Sequence, residues 1–425
     1  MRVLVVGGGG REHALCWALR RDLSFDNLFC APGNPGTAAL AFNLPIGAHD
    51  DDHLIGAAQD NAIDLVVIGP EAPLARGLAD KLRASGRLVF GPSAAAARIE
   101  ASKAFAKEVM SAAGIPTAPS RTFTALNPAL AYVDRHAEPL VVKASGLAAG
   151  KGAIVCPTRQ EAKRNLTAML RDRIFGDAGK EVVVEAFLEG EELSVLAITN
   201  GSELLVLPPA QDHKQLLDRD LGPNTGGMGA YSPVSIATPD LLQRVKRLVL
   251  QPALEELARR NAPFAGVLYA GLMVDPSGSF QVIEFNCRLG DPEAQTVLPL
   301  VSAGLLEAFR AAAAGEPLPS LEIRVAASVT TVLAAAGYPA EPERGAAISL
   351  PEQLPQGTLV FHAGTQRDEN GVLRTNGGRV LGVTAVALGF REAQEASRSV
   401  AESISFEGKQ FRRDIGWREA RRLGG

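Results

Sequence analysis

Short apolar runs that end in glycine or proline alternate with helix-period segments across the first third of the chain. Arg2 to Gly7 reads as a strand, a helix follows from about Arg11, and further strands fall near Leu28 to Ala31 and at Asp64 to Gly69. This rhythm predicts an open parallel sheet covered by helices. Parallel strands end at one edge. The turns Gly7 to Gly10, Pro32 to Asn34 and Gly69-Pro70-Glu71 therefore converge on one crevice, the place where open α/β sheets bind ligands.

The pattern changes at Ser102, which can cap a helix from Lys103 to Ala113 that Gly114 and Pro116 terminate. Residues 1–102 are thus expected to form an N-terminal α/β substrate-binding domain. From Arg121 to Leu188 a strand-helix-strand unit carries a glycine-rich loop, and long strands follow at Phe264 to Val274 and Phe280 to Asn286. These suggest a two-lobed α+β domain over 103–324, with 121–188 as a lid-like subdomain. The strands Val325 to Ala335, Thr358 to His362 and Arg379 to Leu388 mark a small β-rich domain over 325–425. The long, polar, glycine-rich stretch Gln211 to Ser235 is either functional or disordered on loop-length grounds.

A chain of 425 residues with 46% hydrophobic and 21% charged residues can bury roughly three packed units, so disorder is not the default. A net charge of −4 argues against nucleic acid as a partner but leaves room for a local basic pocket. Cys16, Cys30, Cys156 and Cys287 show no paired spacing and read as buried, reduced thiols. Val3 to Val6 is too short for a leader, and no apolar stretch reaches the roughly 20 residues of a membrane helix. The expected compartment is the cytoplasm, with no membrane partner.

Gly7 to Gly10 follow a strand and open a helix, where bare amides could receive a phosphate. They are not a dinucleotide fingerprint: Glu12 and His13 stand where the third glycine is required, and the second strand ends in Pro32, Gly33 and Asn34 instead of a ribose-binding acid.

The segment Val141 to Gly152 reads as a strand, a turn containing Gly146, Gly150, Lys151 and Gly152, and a second strand. Its spacing is not that of a Walker loop; a hairpin closing over triphosphate fits, with Lys143 against phosphate oxygens. The run from Val182 through Glu185 and Ala186 to Leu188 can offer backbone groups to an adenine edge, and Glu192 can accept from ribose hydroxyls. In Val282 to Arg288 alternate residues share a face, so Glu284 and Asn286 point together while Ile283 and Phe285 face the core. Two oxygen ligands on one face suit Mg²⁺. Arg288 can stabilise a transferring phosphoryl group. Asp291-Pro292-Glu293 has a plain reading as a capped helix start. Gln211 to Lys214 and Asn224 to Gly229 read as a substrate loop.

Taken together, these motifs resemble the ATP-grasp superfamily, and within it the phosphoribosylamine-glycine ligase family. The resemblance spans essentially the whole chain. It rests on Gly8 to His13, Ala31 to Asn34, Gly69 to Pro73, Lys143 to Gly152, Gln211 to Lys214, Gly222 to Tyr231, Glu284 to Arg288, Gly290 to Glu293 and Thr375 to Arg379. It implies a pre-ATP-grasp domain, an ATP-grasp domain and a small β-rich domain. It also implies a reaction in which ATP phosphorylates the carboxylate of glycine and the amine of 5-phosphoribosylamine displaces phosphate.

By the same resemblance Glu284 and Asn286 hold Mg²⁺, with Mn²⁺ as a substitute. Lys103, Lys143, Gly146, Gly150, Lys151, Gly152, Glu185, Ala186, Leu188 and Glu192 contact ATP. Arg288, Asp212 and Lys214 are catalytic. Gly9, Gly10, Asn34, Gly69, Pro70, Glu71, His213, Asn224, Gly226, Gly227 and Asp291 face the other substrates. The family favours a monomer.

Many superfamily members carry another metal carboxylate on the strand before Glu284, whereas here that strand reads Leu268 to Val274 without one. No general base is evident, and His213 is a candidate only. The rival readings are an ATP-grasp enzyme using bicarbonate or formate, a non-catalytic nucleotide-binding regulator and a dehydrogenase. The Gly222 to Tyr231 loop, the Glu284-Asn286-Arg288 set and the failed fingerprint argue against them in turn.

Overall fold

The computed structural model describes residues 1–148 and 150–424. Val3–Gly7 is the middle strand of a five-stranded parallel sheet in the order Phe42–Asn43, Leu28–Pro32, Val3–Gly7, Leu65–Ile68, Leu88–Phe90. Its side chains feed two different cores. Leu4 and Val6 pack with Phe29, Val66 and Ile68 on one face, and Val3 and Val5 with Leu28, Leu65 and Val67 on the other. Burial on both faces is why these strands read as continuous apolar runs. The expected strands are all present. The sheet order reverses between Val3–Gly7 and Leu65–Ile68, so the loops after these two strands flank the switch-point crevice.

The helix Lys103–Ala112 starts as its sequence predicts, with Ser102 Oγ accepting the Phe105 N–H at 3.2 Å. Beyond it stand two antiparallel sheets. The smaller has the order Ser120–Phe123, Val182–Ala186, Leu140–Ala144, Ala153–Cys156 and its own core around Val142, Leu166 and Val184. The larger has the order Leu204–Val206, Glu191–Thr199, Gly266–Val274, Phe280–Asn286.

The third large sheet differs from expectation in its membership. Ala327–Ala334, Arg379–Ala387 and Thr358–His362 are joined by Gly229–Ser232 and Gln211–Asp212. The stretch Gln211 to Ser235, open in sequence between function and disorder, is thus folded into short strands, two of which complete the C-terminal sheet. The helix Phe390–Ser403 covers that sheet, Ser397 Oγ sharing a 2.8 Å hydrogen bond with Thr331 Oγ1. All four cysteines are buried with free thiols. Among the described residues no helix is long and apolar enough to cross a membrane.

Candidate active site

The four sheets, or the turns that follow their strands, border a cleft of about 540 Å³, a volume suited to a small-molecule ligand. Its floor is the strand Phe280–Asn286, which departs from simple alternation. Glu284 pairs with Gly271 and Val282 with Leu272, leaving Ile283 as an extra residue in a β-bulge. The bulge reverses the face. Val282 and Phe285 both enter the core, while Ile283, Glu284 and Asn286 line the cleft. The expectation that Ile283 faces the core is corrected for this reason. Gly271 lies opposite, where an added Cβ would make only van der Waals contact with Glu284 Cγ, at 3.4 Å.

Among the described residues neither the Glu284 nor the Asn286 side chain has a hydrogen-bond or ion-pair partner. Burial pushes the Glu284 carboxyl up, but Lys214, Lys143, Lys103 and Arg288 together hold it below the usual glutamate range. An ionised carboxylate and an amide oxygen on one face suit a divalent cation whose other ligands are phosphate oxygens and water. No group of three or more His, Cys, Asp or Glu among the described residues could hold a metal by itself.

The cations divide into paired and free. Lys143 Nζ is bonded to the Glu185 carboxylate and donates to Ile283 O at 3.1 Å. Lys107, which the sequence reading passed over, reaches the other Glu185 oxygen at 2.5 Å. Glu185 therefore orders two lysines. Lys103 donates only to Gly146 O, at 3.3 Å, and forms no ion pair among the described residues. Burial holds its ammonium below the ordinary lysine range, against the pull of Glu284.

Gly150, Gly152, Ala186, Leu188 and Glu192 line the same cleft. Lys151 instead lines an outer hollow of about 950 Å³ that shares Gly150 and Glu192 with it. Gly146 lies against Ala178, where an added Cβ would sit 2.6 Å from the backbone. Ala149 in this loop lies outside the described residues.

On the adjoining wall, Lys214 is paired with Glu192, and Asp212 lies nearby. Burial, reinforced by Glu293, Glu192 and Glu284, pushes the Asp212 carboxyl up to about 8 against Lys214. Arg288 is clamped by two acids of the N-terminal domain, with Nη2 at 2.8 Å from Glu100 Oε1 and Nε at 3.3 Å from Glu71 Oε2. Burial alone would lower this guanidinium, but Glu100 and Glu71 raise it further.

Asp291 does not cap the helix Glu293–Val297 with its side chain. Its carboxylate takes Arg379 Nη2 at 3.1 Å and Gln295 Nε2 at 2.7 Å. Arg379 also donates to Gly226 O at 2.6 Å, bringing the C-terminal domain to the rim. Glu293 is bonded to Tyr269 Oη at 2.8 Å and Ser194 Oγ at 3.2 Å.

The glycine loops behave differently from what their sequence suggests. Glu71 and Pro70 line the cleft with Asn224 and Gly226. The Gly9 amide, however, donates to Glu12 Oε2 at 2.7 Å, so a carboxylate of the chain already occupies that helix start. Gly10 packs on Gln295, Gly69 on Glu12 and Gly227 on Pro292, with added Cβ atoms at 2.5, 2.0 and 2.6 Å from those side chains. Asn34 is spent on the fold, donating to Gly8 O at 3.0 Å and His362 O at 2.8 Å and accepting from Gly36 N and Thr37 N. His213 points away from the cleft and accepts the Gly416 N–H.

Glu100, Lys107 and Arg379 were missed as site residues. Lys107 is legible as the i+4 neighbour of Lys103 on one helix face; Arg379 ends the motif Thr375 to Arg379. Glu100 offered only a lone acid in an alanine-rich helix.

Family models described as phosphoribosylglycinamide synthetase match the chain in three parts: the N domain over residues 1–100, the ATP-grasp (A) domain over 101–294 and the C domain over 328–418. A phosphoribosylamine-glycine ligase of Vibrio cholerae is 47% identical over 423 residues, covering 98% of each chain. That of Escherichia coli K12 is 44% identical over 427 residues, covering 99% of each. The crystal structure of the Thermotoga maritima phosphoribosylamine-glycine ligase superposes with a TM-score of 0.86 at 34% identity, covering 98% of this chain and 100% of that one. A biotin carboxylase domain from Hydrogenobacter thermophilus, at 18% identity and a TM-score of 0.75, shares the fold.

Proposed function

The chain belongs to the phosphoribosylglycinamide synthetase family, and from that premise we propose how its cleft joins glycine to 5-phosphoribosylamine. It is an ATP-dependent carboxylate-amine ligase of purine biosynthesis, with a pre-ATP-grasp domain, a two-lobed ATP-grasp core and a small C-terminal β-rich domain. Its family uses ATP and Mg²⁺.

A glycine carboxylate oxygen attacks the γ-phosphorus of ATP, the bond to the bridging oxygen breaks and ADP leaves. The amine of 5-phosphoribosylamine then attacks the carbonyl carbon of glycyl phosphate. The carbon–oxygen bond to phosphate breaks, and the nitrogen gives up a proton to the departing phosphate, which leaves as hydrogen phosphate while the amide forms. Glu284 and Asn286 would hold Mg²⁺, or Mn²⁺ in its place, which when bound neutralises charge on the phosphates. Lys103, Lys143 and the loop through Gly150 and Gly152 bind the triphosphate. Ala186 to Leu188 and Glu192 take the nucleoside. Arg288 and Lys214 stabilise the phosphoryl oxygens, and Asp212 orients the amine. With no covalent step assigned to the protein, catalysis rests on alignment and fixed charge in a closed site.

The observation that carries this reading is the pair of side chains Glu284 and Asn286, unpartnered among the described residues, beside Arg288 and the lysines, in a cleft to which all three domains contribute. The net charge of −4 supports a chain that does not bind nucleic acid, and the family favours a cytoplasmic monomer.

The test is phosphate release with Mg-ATP and phosphoribosylamine generated in place, comparing glycine, bicarbonate, formate and no added carboxylate. Glycine-dependent release with formation of glycinamide ribonucleotide is expected. Release with another carboxylate alone, or with none of them, overturns the reading.

A further inference from the structure

The segment from Gln211 to Lys214 has two working sides. Asp212 and Lys214 line the cleft. His213 between them faces the opposite way, its side chain 1% exposed. Its Nε2 accepts the Gly416 N–H at 2.9 Å, so the ring proton resides on Nδ1, 3.5 Å from Asp220 Oδ1. The backbone is fixed on both sides: His213 N–H donates to Gly229 O at 2.9 Å, and Met228 N–H donates to His213 O at 2.8 Å.

Asp220 belongs to a larger network that runs from the buried Arg412 to the surface. It accepts from Arg412 at 2.9 Å and Arg418 at 2.5 Å. Arg412, fully buried, also holds Asp414 at 2.8 Å and donates to Gln215 O at 3.2 Å. Asp414 Oδ2 accepts the Arg219 N–H at 2.7 Å, and Asp218 Oδ1 accepts the Arg413 N–H at 2.9 Å. Arg219 and Asp220 lie at φ 59° and 56°, a region that residues other than glycine seldom occupy unless the surroundings hold them there. The far end of the same hairpin delivers Asn224 to Gly226 to the cleft. Residues 412–418 are thus tied to the segment that carries two proposed catalytic groups.

We propose that His213 is a positioning residue for this reaction: as the acceptor of the Gly416 N–H it locks segment 211–226 to segment 412–418, fixing Asp212 and Lys214 against the substrates. The imidazole does not take a proton from substrate, because its Nε2 is held by the C-terminal domain on the side away from the cleft. The proposal rests on the ligase reading above.

The test compares His213→Gln, whose carbonyl oxygen can replace Nε2 as acceptor, with His213→Ala, which cannot. His213→Gln is expected to stay within ~3-fold of the parent kcat/KM, with an unchanged pH profile. His213→Ala is expected to fall by ~10–100-fold as Asp212 and Lys214 lose their alignment. A folded His213→Gln that is inactive or loses a limb of the pH profile overturns the proposal, whether or not His213→Ala folds; so does full activity in a folded His213→Ala.

Amide hydrogen exchange across 211–226 reads the anchor independently of turnover. Faster exchange in His213→Ala but not in His213→Gln supports the anchor even if the parent shows no ligase activity, which would sink the functional reading alone. Equal exchange in all three proteins overturns the anchor.

Discussion

Glu284, which lines the cleft, and Asn34, which lies outside it, are both polar residues near the ends of strands, and the fold treats them in opposite ways. Asn34 donates to carbonyls of its own domain and of the C-terminal domain and accepts two amides. Glu284 has four cations around it and, among the described residues, no direct partner. A polar group left unpaired in a buried site costs stability, whereas a paired one holds shape. The contrast extends to the two walls. The floor and helix that carry Glu284, Asn286 and Lys103 keep binding capacity in reserve, while the glycine loops around Gly9, Gly10, Gly69 and Asn34 are closed on one another through Glu12 and His362.

The sharpest way to break this contrast is to exchange the effects of the two classes. Glu284→Gln should lower turnover at saturating substrates by ~10²–10³-fold, or about 3–4 kcal/mol, and raise the Mg²⁺ concentration needed for half-maximal rate. A variant with the parent's rate and Mg²⁺ dependence would remove Glu284 from the reserve. Next comes Lys103→Met. A charged hydrogen bond is worth about 1.5–3 kcal/mol, so the KM for ATP should rise by roughly 10–100-fold while the thermal midpoint moves little. If the midpoint falls and the KM does not change, Lys103 is a structural cation like Lys107 on Glu185.

Much of this contrast is legible in the sequence, and the remainder is hidden for physical reasons. The parallel strands, the Ser102 cap and the shared face of Glu284 and Asn286 follow from local periodicity, which acts within a few residues. The bulge at Ile283 does not, because one extra residue changes the face without changing composition. Gln211–Asp212 and Gly229–Ser232 are too short to show a period, so their place in the C-terminal sheet emerges only through pairing with Ala327–Ala334 and its neighbours. In the sequence Asn34 reads as a ligand group because it sits at the carboxyl edge of a parallel sheet. What the position could not reveal is that His362, 328 residues away, supplies a carbonyl to the same amide.

Asn34→Ala tests the other side of the comparison. Removing its amide leaves buried carbonyls and the Gly36 and Thr37 amides without partners, at about 1–3 kcal/mol of stability. Denaturant unfolding should register that loss while kcat changes by less than the effect of Glu284→Gln. A stable Asn34→Ala with a large rise in the KM for phosphoribosylamine would return Asn34 to the substrate.

A further effect concerns the other residue that clasps His362. His13 Nδ1 accepts the His362 N–H at 2.8 Å, so its imidazole must be neutral in the folded chain. Burial, helped by His362, lowers the His13 pKa from 6.5 to about 3; burial and Arg367 lower His362 to about 4. Below pH 6.5 the unfolded chain therefore takes up protons that the folded chain refuses. The stabilisation is complete above pH 6.5 and is lost as pH falls toward those depressed values, at about 1.4 kcal/mol per pH unit for each histidine. Urea unfolding between pH 6.5 and 5 should show this loss, and His13→Gln, which keeps an acceptor but cannot titrate, should reduce the slope by about half. An unchanged slope in His13→Gln would mean that His13 is already free to protonate in the folded state, and that the N-terminal wall is held to the C-terminal domain by Asn34 and packing, with the histidine contributing no pH-dependent part.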